Sequence, residues 1–319
     1  MKQHLRAASL LFNQPLLTTP DMLDLAVRWA NQTMSLNIVN LSMPGAVSSQ
    51  LMFDDDEVDR AGRREELRRA AILQTGIDVI PVSGVLVSRG SHLAACETMT
   101  SYEDLRIALN KAVADPMVEY IVLDIDSPGG SAVGAFELAA DIRAASRIKP
   151  ITGLVNFMAY SGGYLIASAC TEVVVSQTSG VGSIGVIASH MDQSKRAEGL
   201  GVKVTTVFAG AHKNDLSPHE PISEQSLQVL KEIVQESYQM FTAQVADYRN
   251  RDVAEIIATE AACYRGVKAI SAGLADRLET PQQAVDNLSR AVALNRRGRE
   301  HNRQRISVQA SAFAIQTRI

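Results

Sequence analysis

Short apolar runs alternate with helix-length segments between residues 77 and 175, and this pattern constrains the fold more than any other feature. Ile77–Val87, 120–126, 150–157 and Glu172–Val175 read as buried strands, the first interrupted by Pro81 and Gly84. Between the first two, Ser101-Tyr102-Glu103-Asp104 opens a helix with capping-box spacing, and Asp115-Pro116 closes it. Segments 132–146 and 162–169 supply the next two helices, and Ser127-Pro128-Gly129-Gly130 reads as a tight turn. Strands separated by single helices need crossover connections, so an α/β fold with a largely parallel sheet is expected. Further on, 226–251 reads as a long helix, with apolar residues at Leu227, Leu230, Val234 and Met240, followed by a second helix near 253–259.

At 319 residues the chain can bury a sizeable core. Three parts are expected. Residues 1–70 form an N-terminal extension, with a helix over 22–30 opened by Pro20-Asp21 and a dense mixed-charge linker at 54–69. Residues 71–287 form the main domain. Residues 288–319 hold seven arginines and one acid, and read as a basic, partly disordered tail or a segment that docks on a partner.

The net charge of −4 argues against a dominant nucleic-acid surface. Cys96, Cys170 and Cys263 have neither metal-ligand nor disulfide-framework spacing, which fits a reducing compartment. No apolar run approaches the roughly 20 residues that span a bilayer. The start of the chain shows no signal-peptide pattern, because its weak apolar stretch at 10–12 is broken by Asn13 and Pro15. A cytoplasmic protein, or one assembled inside a particle, is expected.

Ser161 lies in Tyr160-Ser161-Gly162-Gly163-Tyr164, between a strand and a helix. A serine there can be a nucleophile, or simply an N-cap. Asp126-Ser127-Pro128-Gly129-Gly130 would expose N–H groups at the carboxyl edge of the sheet. Acyl transfer needs such donors for its oxyanion, so the N–H of Gly130 or Gly129, together with that of Gly162, is a candidate pair. A plain turn is the alternative. Of six histidines, His4, His92 and His301 fall outside the candidate catalytic segments, and His190, His212 and His219 lie nearer. None has a convincing catalytic context. Lys213 can serve as base only if buried and neutral; otherwise it is an exposed charge. Gly182-Ser183-Ile184-Gly185-Val186 is too small and apolar for a surface loop. It suits a cleft wall whose backbone pairs with an extended peptide, with Ser183 holding the lysine amine or serving only as a turn.

These segments, in this order, resemble the signal peptide peptidase A family of serine proteases. Tyr264-Arg265-Gly266 and Ala269-Ile270-Ser271-Ala272-Gly273-Leu274-Ala275-Asp276 look like its closing motif, and the likeness runs over 77–278. Within the family, the opening at 8–17, Pro81-Val82-Ser83-Gly84-Val85-Leu86-Val87-Ser88-Arg89 and Gly210-Ala211-His212-Lys213 resemble the lambda-like head maturation proteases of tailed phages. The other branch degrades cleaved signal peptides. The resemblance implies a Clp-protease/crotonase-like spiral of ββα units and a ring-forming homo-oligomer. It also implies Ser161 as nucleophile and Lys213 as base, with no metal or cofactor. Capsid scaffold and portal proteins would be the substrates, inside the prohead or the host cytoplasm. Some phage relatives continue into a long scaffold region, so a scaffolding role for 288–319 is not expected.

Overall fold

The computed structural model describes residues 14–20, 22, 55–89 and 99–316. The helix expected over 22–30 (Met22 apart), the 10–12 stretch, His4, His92 and Cys96 lie outside these residues. In chain order the elements are β1 (Leu16–Leu17), α1 (Asp55–Thr75), β2 (Ile77–Val87), β3 (Met99–Ser101), α2 (Tyr102–Ala114) and β4 (Tyr120–Ser131). Then come α3 (Ala135–Ser146), β5 (Ile151–Tyr160), α4 (Gly162–Ser168), β6 (Glu172–Val175), β7 (Gly180–Gly182) and α5 (Ser194–Gly199). The last are α6 (Glu224–Arg249), α7 (Val253–Ile257), β8 (Cys263–Arg265), α8 (Val267–Ser271), β9 (Arg277–Leu278) and α9 (Pro281–Gln316).

Among the described residues the strands form one nine-stranded, mostly parallel sheet, six of them in the order β3-β2-β4-β5-β6-β9, with β1 paired to β4 and β7 paired to β5 and β8. The βαβ pattern read from the sequence is therefore present, for the expected reason: each helix returns the chain to start the next strand in the same direction. The Ser101 side chain accepts from the Asp104 N–H at the start of α2, as the capping spacing predicts. No helix among the described residues is long and apolar enough to cross a membrane.

Successive strand residues point to opposite faces, and both faces of β4 are buried. Ile121, Leu123 and Ile125 enter the main cluster with Leu105, Leu138 and Leu165 from α2, α3 and α4. Val122 points the other way, joining Ile77, Leu154 and Val174. That second face is covered by Ala284, Leu288 and Val292 of α9.

Three expectations are corrected. First, the boundary at 287/288 cuts through α9, whose Leu288 and Val292 are core residues. Their four-residue spacing was masked by the arginines around them. Some of those arginines are fixed too: Arg296 Nε lies 2.5 Å from Glu119 Oε1, and Arg299 also pairs with Glu119. Second, the boundary at 70/71 falls inside α1, where Ile72 joins the main core and Arg68 pairs with buried Asp78 at 2.6 Å. Third, residues 127–130 are no tight turn. β4 runs through them, with a register shift between Ile125 and Ser127. The glycines permit the distortion, and pairing with β2 continues to Gly130.

Candidate functional site

β5 passes into α4 through Ser161, whose backbone sits at φ 53°, ψ −117°. A non-glycine residue there costs on the order of 1–3 kcal/mol unless its surroundings fix it. Here they do. The Ser161 N–H donates to Gly182 O at 2.8 Å, and Ser161 O accepts from the N–H groups of Tyr164 and Leu165. The residue is fully buried, and its hydroxyl makes one long contact, donating to Gly185 O at 3.4 Å. A sharp strand-to-helix elbow of this kind is how α/β hydrolases present a serine nucleophile.

The glycines read from the sequence converge on this elbow. Gly129 adopts φ 99°, and a Cβ there would lie 2.9 Å from the Gly162 nitrogen. A Cβ on Gly162 would lie 3.5 Å from the Gly130 nitrogen. Ser127 organises the approach: its hydroxyl donates to Gly84 O at 2.6 Å and accepts from the Gly129 N–H at 3.1 Å. Sequence reasoning passed over Ser127 as part of a turn. Its role shows only once β2 and β4 are side by side.

The 182–187 segment forms the opposing wall. β7 pairs parallel with the end of β5, Tyr160 opposite Gly182, and antiparallel with β8. Gly182 (φ 109°) and Ser183 (φ 54°) turn the chain away from the sheet, held by Ser183 N–H donating to Ala262 O at 3.0 Å. Gly185 packs where a Cβ would come within 2.9 Å of Ala261 Cβ. The segment around 264–276 braces the site from behind. Tyr164, beside the elbow, donates its hydroxyl to Leu274 O at 2.9 Å, and burial raises its phenol pKa. Burial alone would raise the Asp276 carboxyl. The Arg249 guanidinium and the Val173 N–H outweigh it and hold that carboxyl below its usual range.

Lys213 makes no hydrogen bond to Ser161, whose hydroxyl donates to Gly185 O. The lysine lies in an irregular, exposed stretch between α5 and α6, and its amine makes no hydrogen bond or ion pair among the described residues. Beside it, His212 Nδ1 lies 2.6 Å from Asp215 Oδ2, on an exposed turn. That contact holds the Asp215 carboxyl below its usual range.

The sequence reading also missed what fills the space between the walls. β1 lies there, antiparallel to the end of β4, with Leu17 opposite Gly130. On its other side Leu16 and Ile187 exchange two hydrogen bonds, at 2.7 and 3.0 Å. The one available signal was a short apolar pair bracketed by Pro15 and Pro20, which favours extended backbone.

Sheet, elbow and glycine cradle define an α/β protein with a buried serine at the carboxyl edge of a parallel sheet. Residues 143–295, which include both Ser161 and Lys213, match peptidase family S49. The chain is 35% identical over 285 residues to the capsid assembly protease C of Escherichia phage lambda, covering 87% of this chain and 64% of that protein. It is 35% identical over 302 residues to the head-tail preconnector protein of Enterobacteria phage P21, covering 92% and 58%. A putative signal peptide peptidase of Enterococcus faecium is 30% identical over 215 residues, covering 66% and 62%. The chain thus spans less than two thirds of the length of each of these relatives.

Proposed function

We propose that this chain is a serine endopeptidase of phage or prophage head maturation, with Ser161 as nucleophile and Lys213 as general base. The observation that carries the reading is the strained, fully buried Ser161 elbow facing Gly129 and Gly130. In the proposed reaction Ser161 Oγ adds to the scissile carbonyl while a neutral Lys213 takes its proton. The Gly130 and Gly162 N–H groups hold the oxyanion, in the position that Gly129 sets. Lys213 then protonates the leaving amine, and water activated by Lys213 releases the acyl group. Ser183 orients the lysine amine, and Gly182 and Gly185 shape the peptide cleft. Capsid scaffold and portal proteins are the proposed substrates, a reading supported by the names of the two phage relatives.

The mechanism requires the stretch that bears Lys213 to close over Ser161. Val207 on that stretch is 92% exposed, and Leu200, Val202, Val204 and Phe208 are exposed beside it. An apolar run so bare favours burial against another surface, and a second copy of the chain in a ring would cover it and desolvate the amine.

Co-expression with the capsid, scaffold and portal genes, read by intact mass, tests the proposal. Wild type should trim scaffold or portal, and Ser161→Ala should leave both at full length. Equal trimming by the two would overturn the reading. Degradation of isolated signal peptides with capsid proteins untouched would favour the activity that the Enterococcus relative's name describes. The His212–Asp215 pair supports one competing base. Loss of activity in His212→Ala, with activity kept in Lys213→Ala, would select it.

A further inference from the structure

The chain carries a peptide in its own cleft. Residues 15–17 run extended between the end of β4 and Ile187, with backbone partners on both sides. The Ala132 N–H donates to Pro15 O at 3.3 Å, Leu16 N–H donates to Ile187 O at 2.7 Å, and Ile187 N–H donates to Leu16 O at 3.0 Å. Two-sided strand addition of this sort is how a cleft holds a peptide without reading every side chain.

The register decides what is presented. In an antiparallel ladder, hydrogen-bonded pairs recur at every second residue. Pro15 and Ala132 are such a pair, so Leu17 and Gly130, two residues along on each strand, are another. The Gly130 N–H therefore faces the carbonyl of Leu17. The same carbonyl oxygen lies 3.3 Å from where a Cβ on Gly162 would be, and a Cβ on Gly129 would overlap it. All three glycines assigned to the oxyanion cradle thus close on one peptide carbonyl. The Leu17 side chain is fully buried in the main apolar cluster, and Leu16 and Thr18 are buried as well.

We infer that this cleft selects extended peptides with a leucine-class aliphatic residue immediately before the cleaved bond, and that residues 14–18 occupy it as a built-in competitor. The depth of Leu17 supplies the selectivity: a charged side chain would have to be buried there without a partner, whereas a leucine gives up only its contact with water. The inference deepens the proposed peptidase reading and rests on it for the cleavage step alone; occupancy of the cleft stands separately.

The probe is the synthetic peptide acetyl-Gln-Pro-Leu-Leu-Thr-amide, added to the full chain carrying Ser161→Ala so that nothing is cut. Binding is read by calorimetry, and the state of the resident segment by amide hydrogen exchange. At saturating peptide, the Leu16 and Leu17 amides of the protein should exchange at least tenfold faster, because the probe has taken their place. A probe with Asp for the second leucine should bind at least tenfold more weakly. Absence of binding would overturn the inference. So would binding that leaves Leu16 and Leu17 protected, since β1 would then be a permanent strand, or equal affinity for the two probes. This test needs no change to buried Leu17, so misfolding cannot imitate a negative result. If the probe binds as expected but protein with Ser161 intact never cuts it after the second leucine, the peptidase reading fails and the cleft assignment survives.

Discussion

The two halves of the candidate site are built differently. Around Ser161 the end of β4, α4 and β7 are buried, and a dense set of hydrogen bonds reaches from β2 and β4 to β7 and β8. Around Lys213 there are exposed turns tied to the start of α6 by Gln225 and Ser226, and Val207 and Phe208 stand in solvent. The contrast separates two requirements of the proposed chemistry. An oxyanion cradle must be rigid before substrate arrives, because reorganising dipoles during the reaction forfeits their benefit. A lysine base must lose its solvent, and that can wait for closure or for a neighbouring subunit.

Substitutions on each side can break or sharpen this contrast. Lys213→Ala should act on function and not on the fold, lowering kcat by about 10²–10⁴-fold. Because the side chain is exposed, its stability should stay within about 0.5 kcal/mol of wild type. A denaturation midpoint well below wild type would mean that Lys213 is already packed, and the contrast would dissolve. Gly130→Ala should do the reverse, acting first on the fold. Its Cβ would overlap the Leu86 backbone, so a loss of about 3 kcal/mol or more is expected in urea unfolding.

Leu288→Ala tests a region remote from both halves. Removing this buried side chain from α9 should cost about 2–4 kcal/mol, with kcat unchanged. A neutral result would return 288–319 to the status of a tail. Ser161→Gly should raise stability where the other substitutions lower it or leave it unchanged. Glycine adopts positive φ without penalty, so melting should shift upward by about 1 kcal/mol of stability while activity is lost. Lower stability would show that the serine elbow is not strained.

Much of the fold was legible in the chain. The apolar runs and their caps gave β2, β4, β5 and β6, the helices between them and the long α6, because strand and helix periods are local properties. The site was legible in pieces: Ser161 on its elbow, the glycines beside it, and the 182–186 wall. Residues 127–130 were misread because a Pro-Gly-Gly sequence has the same local preferences in a turn and in a bulged strand end. The choice was made by pairing to β2 and by the Ser127–Gly84 hydrogen bond, 43 residues apart in sequence. Leu288 and Val292 were missed because sparse apolar residues among arginines give a weak periodic signal until there is a sheet face for them to cover.

The order of strands and helices, and the serine set between one of each, were written in the sequence, since they follow from steric and apolar preferences acting over a few residues. Which carbonyl faces the glycines, which helix closes the second face of the sheet, and which strand pairs with Ile187 were decided in three dimensions. Those contacts join segments tens to hundreds of residues apart, and their free energy comes from surfaces that exist only after the sheet has formed.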